Sequence, residues 1–159
     1  MAFPYKVHRG FLAAWKEVED IIIEKVQDPI WTDITVVGYS HGGALCQFAL
    51  ECVWFYRPDL RDGHMRGYAF EAPRIFAQWN YPEQLRERWK DLYIIRDGSD
   101  LVTHVPPVLF GYRHIGKIVN IKGDPSLVDK KWLPKCIKYH YPQVVYDGLL
   151  KMEAEEQKE

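Results

Sequence analysis

Apolar positions recur along this chain with two alternating periods. Phe11, Trp15, Val18, Ile22 and Val26 fall on one helical face, which predicts an amphipathic helix over residues 10–27. Asp28-Pro29 helps to end it, because a proline ring disfavours helical geometry at the residue before it. Residues 33–38 then read as a buried strand, β-branched from Ile34 to Val37. Leu45, Phe48, Ala49, Cys52 and Val53 return to helical spacing. Arg57-Pro58-Asp59 and Asp62-Gly63 mark a loop. Residues 65–70 predict the next strand, closed by Ala72-Pro73-Arg74. Residues 81–90 predict a short polar helix, and 91–96 a strand ending in the loop Asp97-Gly98-Ser99-Asp100. A last strand is predicted near residues 117–121, then a helix over 143–155 with Val145, Leu149 and Met152 on one face. Strands alternating with helices imply an α/β fold, a mostly parallel sheet with helices on both faces. The 159 residues make one domain, with 153–159 expected as a frayed charged tail.

Charge and composition narrow the classes. The net charge of −1 gives no electrostatic footprint for nucleic acid or an anionic membrane. No apolar run is long enough to span a bilayer, and the opening residues lack the apolar core of a secretory signal. The three cysteines, Cys46, Cys52 and Cys136, have no metal-type spacing, and their odd number leaves at least one thiol without an intrachain partner. Reduced cysteines and a cytoplasmic location are the expectation. No metal or cofactor is expected.

Candidate chemistry centres on Gly38-Tyr39-Ser40-His41-Gly42. The form Gly-x-Ser-x-Gly, between a β-branched run and a helical stretch, predicts a nucleophile elbow that lifts Ser40 above the sheet. The flanking glycines are expected to give the turn room, since a Cβ there would meet neighbouring backbone. The turn points the backbone N–H of His41 at a developing oxyanion. An ordinary βα turn with Ser40 capping the helix fits the same five letters. A phosphate loop does not, because the Lys-Ser/Thr pair and a Gly-x-Gly-x-x-Gly spacing are absent. In such sheets the site lies beyond the carboxyl ends of the strands. The acids there are Asp97 and Asp100; the later histidines are His104, His114 and His140. His104 is too close to Asp100 to be an independent arm, and His114 lies between a loop and the last strand. His140 follows all the predicted strands, which suits a base carried on a C-terminal loop. The histidine would take the serine proton, and the acid would fix the imidazole tautomer.

Four segments resemble the class 3 lipases, the fungal-type triacylglycerol lipase group within the α/β-hydrolase fold. Val7 to Leu12 is similar to "VHxGF" and Val37 to Ala44 to "GHSxGGA", with Tyr39 replacing the usual histidine. Tyr68 to Arg74 is similar to "FGxPR", and Asp100 to Pro107 to "DxVPxLPP". Order and spacing match up to His140 and Tyr141. The resemblance implies Ser40, Asp100 and His140 as a catalytic triad, with Asp100 rather than Asp97 as the acid and His41 N–H in the oxyanion hole. His104 and His114 then read as structural. It also implies a preceding strand, a second oxyanion donor and a lid, none of which has a counterpart here, so an N-terminally shortened member is expected. The strand at 34–37 is left without one neighbour. A homodimer, a partner chain or residues 3–7 folding back would cover it, although Pro4 disfavours a good central strand. The activity implied is serine-dependent hydrolysis of lipid or small-molecule esters. The alternative is an incomplete or inactive hydrolase-fold domain serving as an interaction module; a peptidase or acyltransferase is a weaker third reading.

Overall fold

A computed structural model describes residues 5–77 and 83–158. The first apolar face belongs to two helices rather than one, α1 (Arg9–Lys16) and α2 (Glu19–Gln27). Val18 interrupts them at φ −118° and ψ −7°. Beside the break, the buried Glu19 carboxylate accepts from Trp15 Nε1 at 3.2 Å and from Lys16 Nζ. Apolar side chains of both helices enter one core, so their spacing does not reveal the interruption.

Next come β1 (Ile34–Tyr39), α3 (His41–Tyr56), β2 (Met65–Phe70) and the short β3 (Phe76–Ala77). They are followed by α4 (Glu83–Arg88), β4 (Leu92–Asp97), β5 (Tyr112–Arg113) and β6 (Lys117–Ile121). The chain closes with α5 (Lys135–Lys138) and α6 (Pro142–Glu156). Strands β1, β2, β4 and β6 form one parallel sheet in that order. Tyr39 stands opposite Phe70, and Phe70 opposite Ile95, so these strands reach the carboxyl end of the sheet together. Asp97, the last residue of β4, stands opposite Ile121 of β6.

Alternation along the strands feeds two cores. Ala69, Leu92 and Ile94 pack with Trp15, Phe48 and Leu50 under α1–α3. Ile95 and Ile121 face the other way, against Val145, Leu149 and Met152 of α6. Helices therefore cover both faces. The acidic end of the chain is helical as far as Glu156.

The first strand departs from expectation. It is alternately half-buried and exposed, with Val37 63% exposed, rather than buried. The reason is its place at the sheet edge: α3 covers one face there, while α6 packs on β4 and β6. Among the described residues, no strand pairs with its outer side. The described residues before α1 do not fold onto that edge. Val7 bridges Phe76, His8 N donates to Ile75 O and Ala77 N to Lys6 O, both at 2.8 Å. Phe3 and Pro4 lie outside the described residues. So do residues 81–82 of the helix expected over 81–90; that helix ends at Arg88, and Trp89 enters the core. Sequence patterning also missed the two-stranded β3–β5 sheet and the four-residue α5, which are too short to show a period.

Candidate active site

The elbow is built from backbone. Ser40, between β1 and α3, has φ 55° and ψ −119°, a conformation that costs a non-glycine residue about 1–3 kcal/mol. The surroundings hold it there: Ser40 N donates to Phe70 O at 2.8 Å, and Ala44 N donates to Ser40 O at 3.2 Å. The two flanking glycines are not equivalent. A Cβ on Gly38 would lie 2.0 Å from the Gly42 carbonyl oxygen. A Cβ on Gly42 would meet nothing within 4 Å, which corrects the expectation that both are needed for room. The second crowded position is Gly43, where a Cβ would lie 2.8 Å from Ala72 Cβ. The turn winds α3 so that Gly43 faces the end of β2 and Gly42 faces out. His41 is the first residue of α3. Its N–H is among those a helix N-terminus leaves without an intrahelical acceptor, at the positive end of the dipole.

Two distant segments meet this serine. His140 follows α5, and its Nε2 lies 2.7 Å from Ser40 Oγ, which donates to it. His140 Nδ1–H donates to Asp100 Oδ2 at 2.6 Å. The Asp100 carboxylate is fully buried, and its Oδ1 accepts from Val102 N at 2.9 Å. Leu101 N donates to Cys136 O at 3.1 Å, which ties the acid-bearing loop to the segment carrying the histidine. The fold thus brings Ser40, His140 and Asp100 into one hydrogen-bonded row.

The other candidates stand outside the row. Both Asp97 oxygens accept backbone donors, Ser99 N at 2.8 Å and Gly123 N at 3.1 Å. His104 Nδ1 lies 2.8 Å from the Asp100 main-chain oxygen, not from its carboxylate. His114 Nε2–H donates to Thr103 O at 2.8 Å. Burial, with Arg96 and Arg74 nearby, lowers the His114 pKa to about 4 and keeps it neutral.

Two side chains of this site escaped sequence reasoning. The Tyr39 hydroxyl donates to the main-chain oxygen of His140, with the two rings 5.4 Å apart. Burial, then the Glu71 and Asp100 carboxyls, push its pKa well up. Glu71 is fully buried and sits at φ 44°. Its Oε1 accepts from Asp97 N at 2.7 Å. Burial, then hydrogen bonding with Asp100, holds its carboxyl well above the usual range. One signal was available: Glu71 occupies the glycine position of the "FGxPR" pattern, where a left-handed residue would be at home. Among the described residues, no cluster of three or more His, Cys, Asp or Glu side chains is placed to hold a metal ion.

A parallel sheet with a strained serine between strand and helix, an acid past a later strand and a histidine on a late loop has the layout of an α/β-hydrolase-type protein. Residues 2–110 match the family described as lipase (class 3). The chain belongs to the class 3 lipase family. It is 32% identical over 114 residues to a secreted mono- and diacylglycerol lipase of Malassezia globosa, covering 68% of this chain and 35% of that one. It is 30% identical over 137 residues to secreted mono- and diacylglycerol lipase 1 of Fusarium solani, covering 83% and 38%. The structure of the Rhizomucor miehei lipase propeptide complex matches in fold with a TM-score of 0.62 at 23% identity, over 94% of this chain and 52% of that one. The chain thus spans about a third of the length of these two curated relatives. Both are described as secreted, which gives the expected cytoplasmic location no support. No helix among the described residues is long and apolar enough to cross a membrane.

Proposed function

We propose that this chain carries the reaction centre of a serine-dependent carboxylic ester hydrolase acting on lipid esters. The observation that carries the reading is His140, placed 2.7 Å from Ser40 Oγ and 2.6 Å from Asp100 Oδ2. Ser40 Oγ attacks the ester carbonyl while His140 Nε2 takes its proton. The tetrahedral oxygen receives the His41 N–H, helped by the α3 dipole. Collapse breaks the bond to the alcohol, which leaves with the proton from His140. Water, activated by His140, then cleaves the acyl-enzyme and restores the serine. Asp100 holds the imidazole tautomer and stabilises the imidazolium.

The names of the relatives point to acylglycerols as the substrate class. Exposed Leu101, Val105, Val108, Leu109 and Phe110 lie within ten residues after Asp100 and offer apolar surface to an acyl chain. A second oxyanion donor lies outside this reading; loss of one donor elsewhere costs about 3 kcal/mol, roughly a hundred- to thousandfold in rate. No cofactor or metal enters the mechanism.

A second reading rests on the outer edge of β1. Ile30, Trp31 and Val37 are exposed beside it, and such an edge invites another strand. The chain would then be an incomplete hydrolase domain acting as an interaction module, with a second copy or a partner chain on that edge.

Hydrolysis of p-nitrophenyl butyrate and palmitate by the chain and by Ser40→Ala tests the first reading. Turnover that disappears in Ser40→Ala supports it. A folded chain that neither turns over ester nor reacts with a fluorophosphonate at Ser40 removes it and leaves the second. Light scattering tests the edge: concentration-dependent association, abolished by Val37→Lys, is expected if the edge is a contact surface.

A further inference from the structure

Three carboxyl groups are crowded behind His140. Glu71 ends the β2 side, Asp97 closes β4, and Asp100 follows it; all three are buried. Three charges cannot share such a place without cations, so at least one group keeps its proton. Hydrogen bonding shows which. Asp97 receives an N–H on each oxygen, from Ser99 and Gly123. Asp100 receives Val102 N on one oxygen and His140 Nδ1 on the other. Among the described residues, Glu71 receives only Asp97 N, on Oε1. Among the described residues no donor reaches its buried Oε2, and the Asp100 carboxyl is within hydrogen-bonding reach of the Glu71 carboxyl. Two bare carboxylate oxygens cannot adjoin stably, whereas a proton on one turns the contact into a hydrogen bond. The Tyr39 hydroxyl is not that donor, because it is engaged with the His140 main-chain oxygen.

The backbone supports a special role for this residue. Glu71 adopts φ 44°, which costs a side-chain-bearing residue energy and is found where surroundings enforce it. Its own N–H is fixed to Ile95 O at 2.8 Å, which aims the side chain into the carboxyl cluster. A glycine would fit the conformation more easily and leave the cluster with two acids.

We infer that Glu71 is a positioning residue of the Ser40–His140–Asp100 row, a neutral carboxylic acid whose Oε2 proton is donated to Asp100. The inference rests on the reading of that row as an ester-hydrolysing site. The extra bond holds the Asp100 carboxylate turned toward His140 Nδ1. When Glu71 ionises, two charged carboxylates face one another and Asp100 is pushed off the imidazole. Among the described residues, the titratable groups facing Glu71 are Asp97 and Asp100 from the end of β4 and Tyr39 from β1.

The experiment compares wild type, Glu71→Gln and Glu71→Gly. Glutamine keeps an acceptor for Asp97 N and a donor for Asp100 but cannot ionise. Glycine removes both, yet suits the φ value, so circular dichroism is expected to show it folded. The first measurement is the pH profile of p-nitrophenyl butyrate hydrolysis. Wild type is expected to lose kcat reversibly on the alkaline side. Glu71→Gln retains most of the neutral-pH kcat and lacks that alkaline fall. Glu71→Gly loses roughly tenfold or more in kcat with little change in KM, as a small misplacement of a catalytic group does. The second measurement needs no turnover: the downfield proton NMR signal of His140 Nδ1–H, expected in wild type and Glu71→Gln and weakened or shifted in Glu71→Gly. An inactive wild type with this NMR pattern would defeat the hydrolase reading and leave the positioning role standing. The positioning role is overturned if the signal is the same in all three proteins. It is equally overturned if Glu71→Gln is as impaired as Glu71→Gly, or if Glu71→Gly keeps the wild-type kcat and profile.

Discussion

At the scale of single residues, the elbow separates glycines that look alike in the sequence. Gly38 cannot gain a methyl group without moving the Gly42 carbonyl, whereas Gly42 has open space. Gly38→Ala is therefore expected to destabilise by about 2 kcal/mol or more, the range of an overpacked backbone contact. Gly42→Ala, on the outer side of α3, is expected to be neutral or to stabilise by up to about 1 kcal/mol through helix propensity. Urea denaturation of the two variants checks this; equal losses would refute the distinction. The thiols differ in a similar way. Cys46 and Cys52 are buried, and burial pushes both up to about 12, while Cys136 is only half-buried. A thiol-reactive disulfide reagent is expected to modify one cysteine in the native protein and three after unfolding. Fast modification of all three under native conditions would contradict the packing of α3.

At the scale of elements, α3 organises the molecule. It starts at the Ser40 turn, packs on β1 and β2, and sends Phe48 into the centre of the larger core. Phe48 is fully buried, stacked on Trp15 at 5.7 Å and edge-on to Phe76 at 6.1 Å. Phe48→Ala is expected to cost about 3–5 kcal/mol, read as a lowered urea midpoint. A loss under about 1 kcal/mol would mean that the core around α3 closes over the gap. The helices and strands that build this layer were legible because their apolar positions keep a period over several turns or pairs. The break at Val18 was not legible, because the apolar side chains on both sides of it enter the same core.

For the whole molecule, buried titratable groups shape stability against pH. His114 has a folded pKa near 4 against an ordinary value of 6.5. Between those values the unfolded chain binds the extra proton, so stability falls as pH drops from about 6.5 toward 4. Glu71 acts with the opposite sign. Its folded pKa is raised above 4.5, so the unfolded chain ionises first and stability falls as pH rises through that window. His114→Gln is expected to flatten the acid-side loss, measured as urea midpoints at pH 7, 6 and 5. Parallel wild-type and variant curves would show that His114 is not the group responsible.

The sequence by itself determined the α/β class, the strand–elbow–helix context of Ser40 and the family. These are local or periodic properties, written in the spacing of apolar residues and in short contiguous motifs. It also narrowed the candidate acid to Asp97 or Asp100, with the resemblance favouring Asp100. Only the tertiary structure decided that Asp97 spends both oxygens on turn backbone while Asp100 meets His140. Only it brought Ser40 and His140, 100 residues apart, to 2.7 Å. Only it set Tyr39 and Glu71 behind the row and left β1 at an edge. Such facts depend on which strand ends the sheet order brings side by side and on which buried oxygen lacks a donor, and neither is encoded in any one stretch of chain.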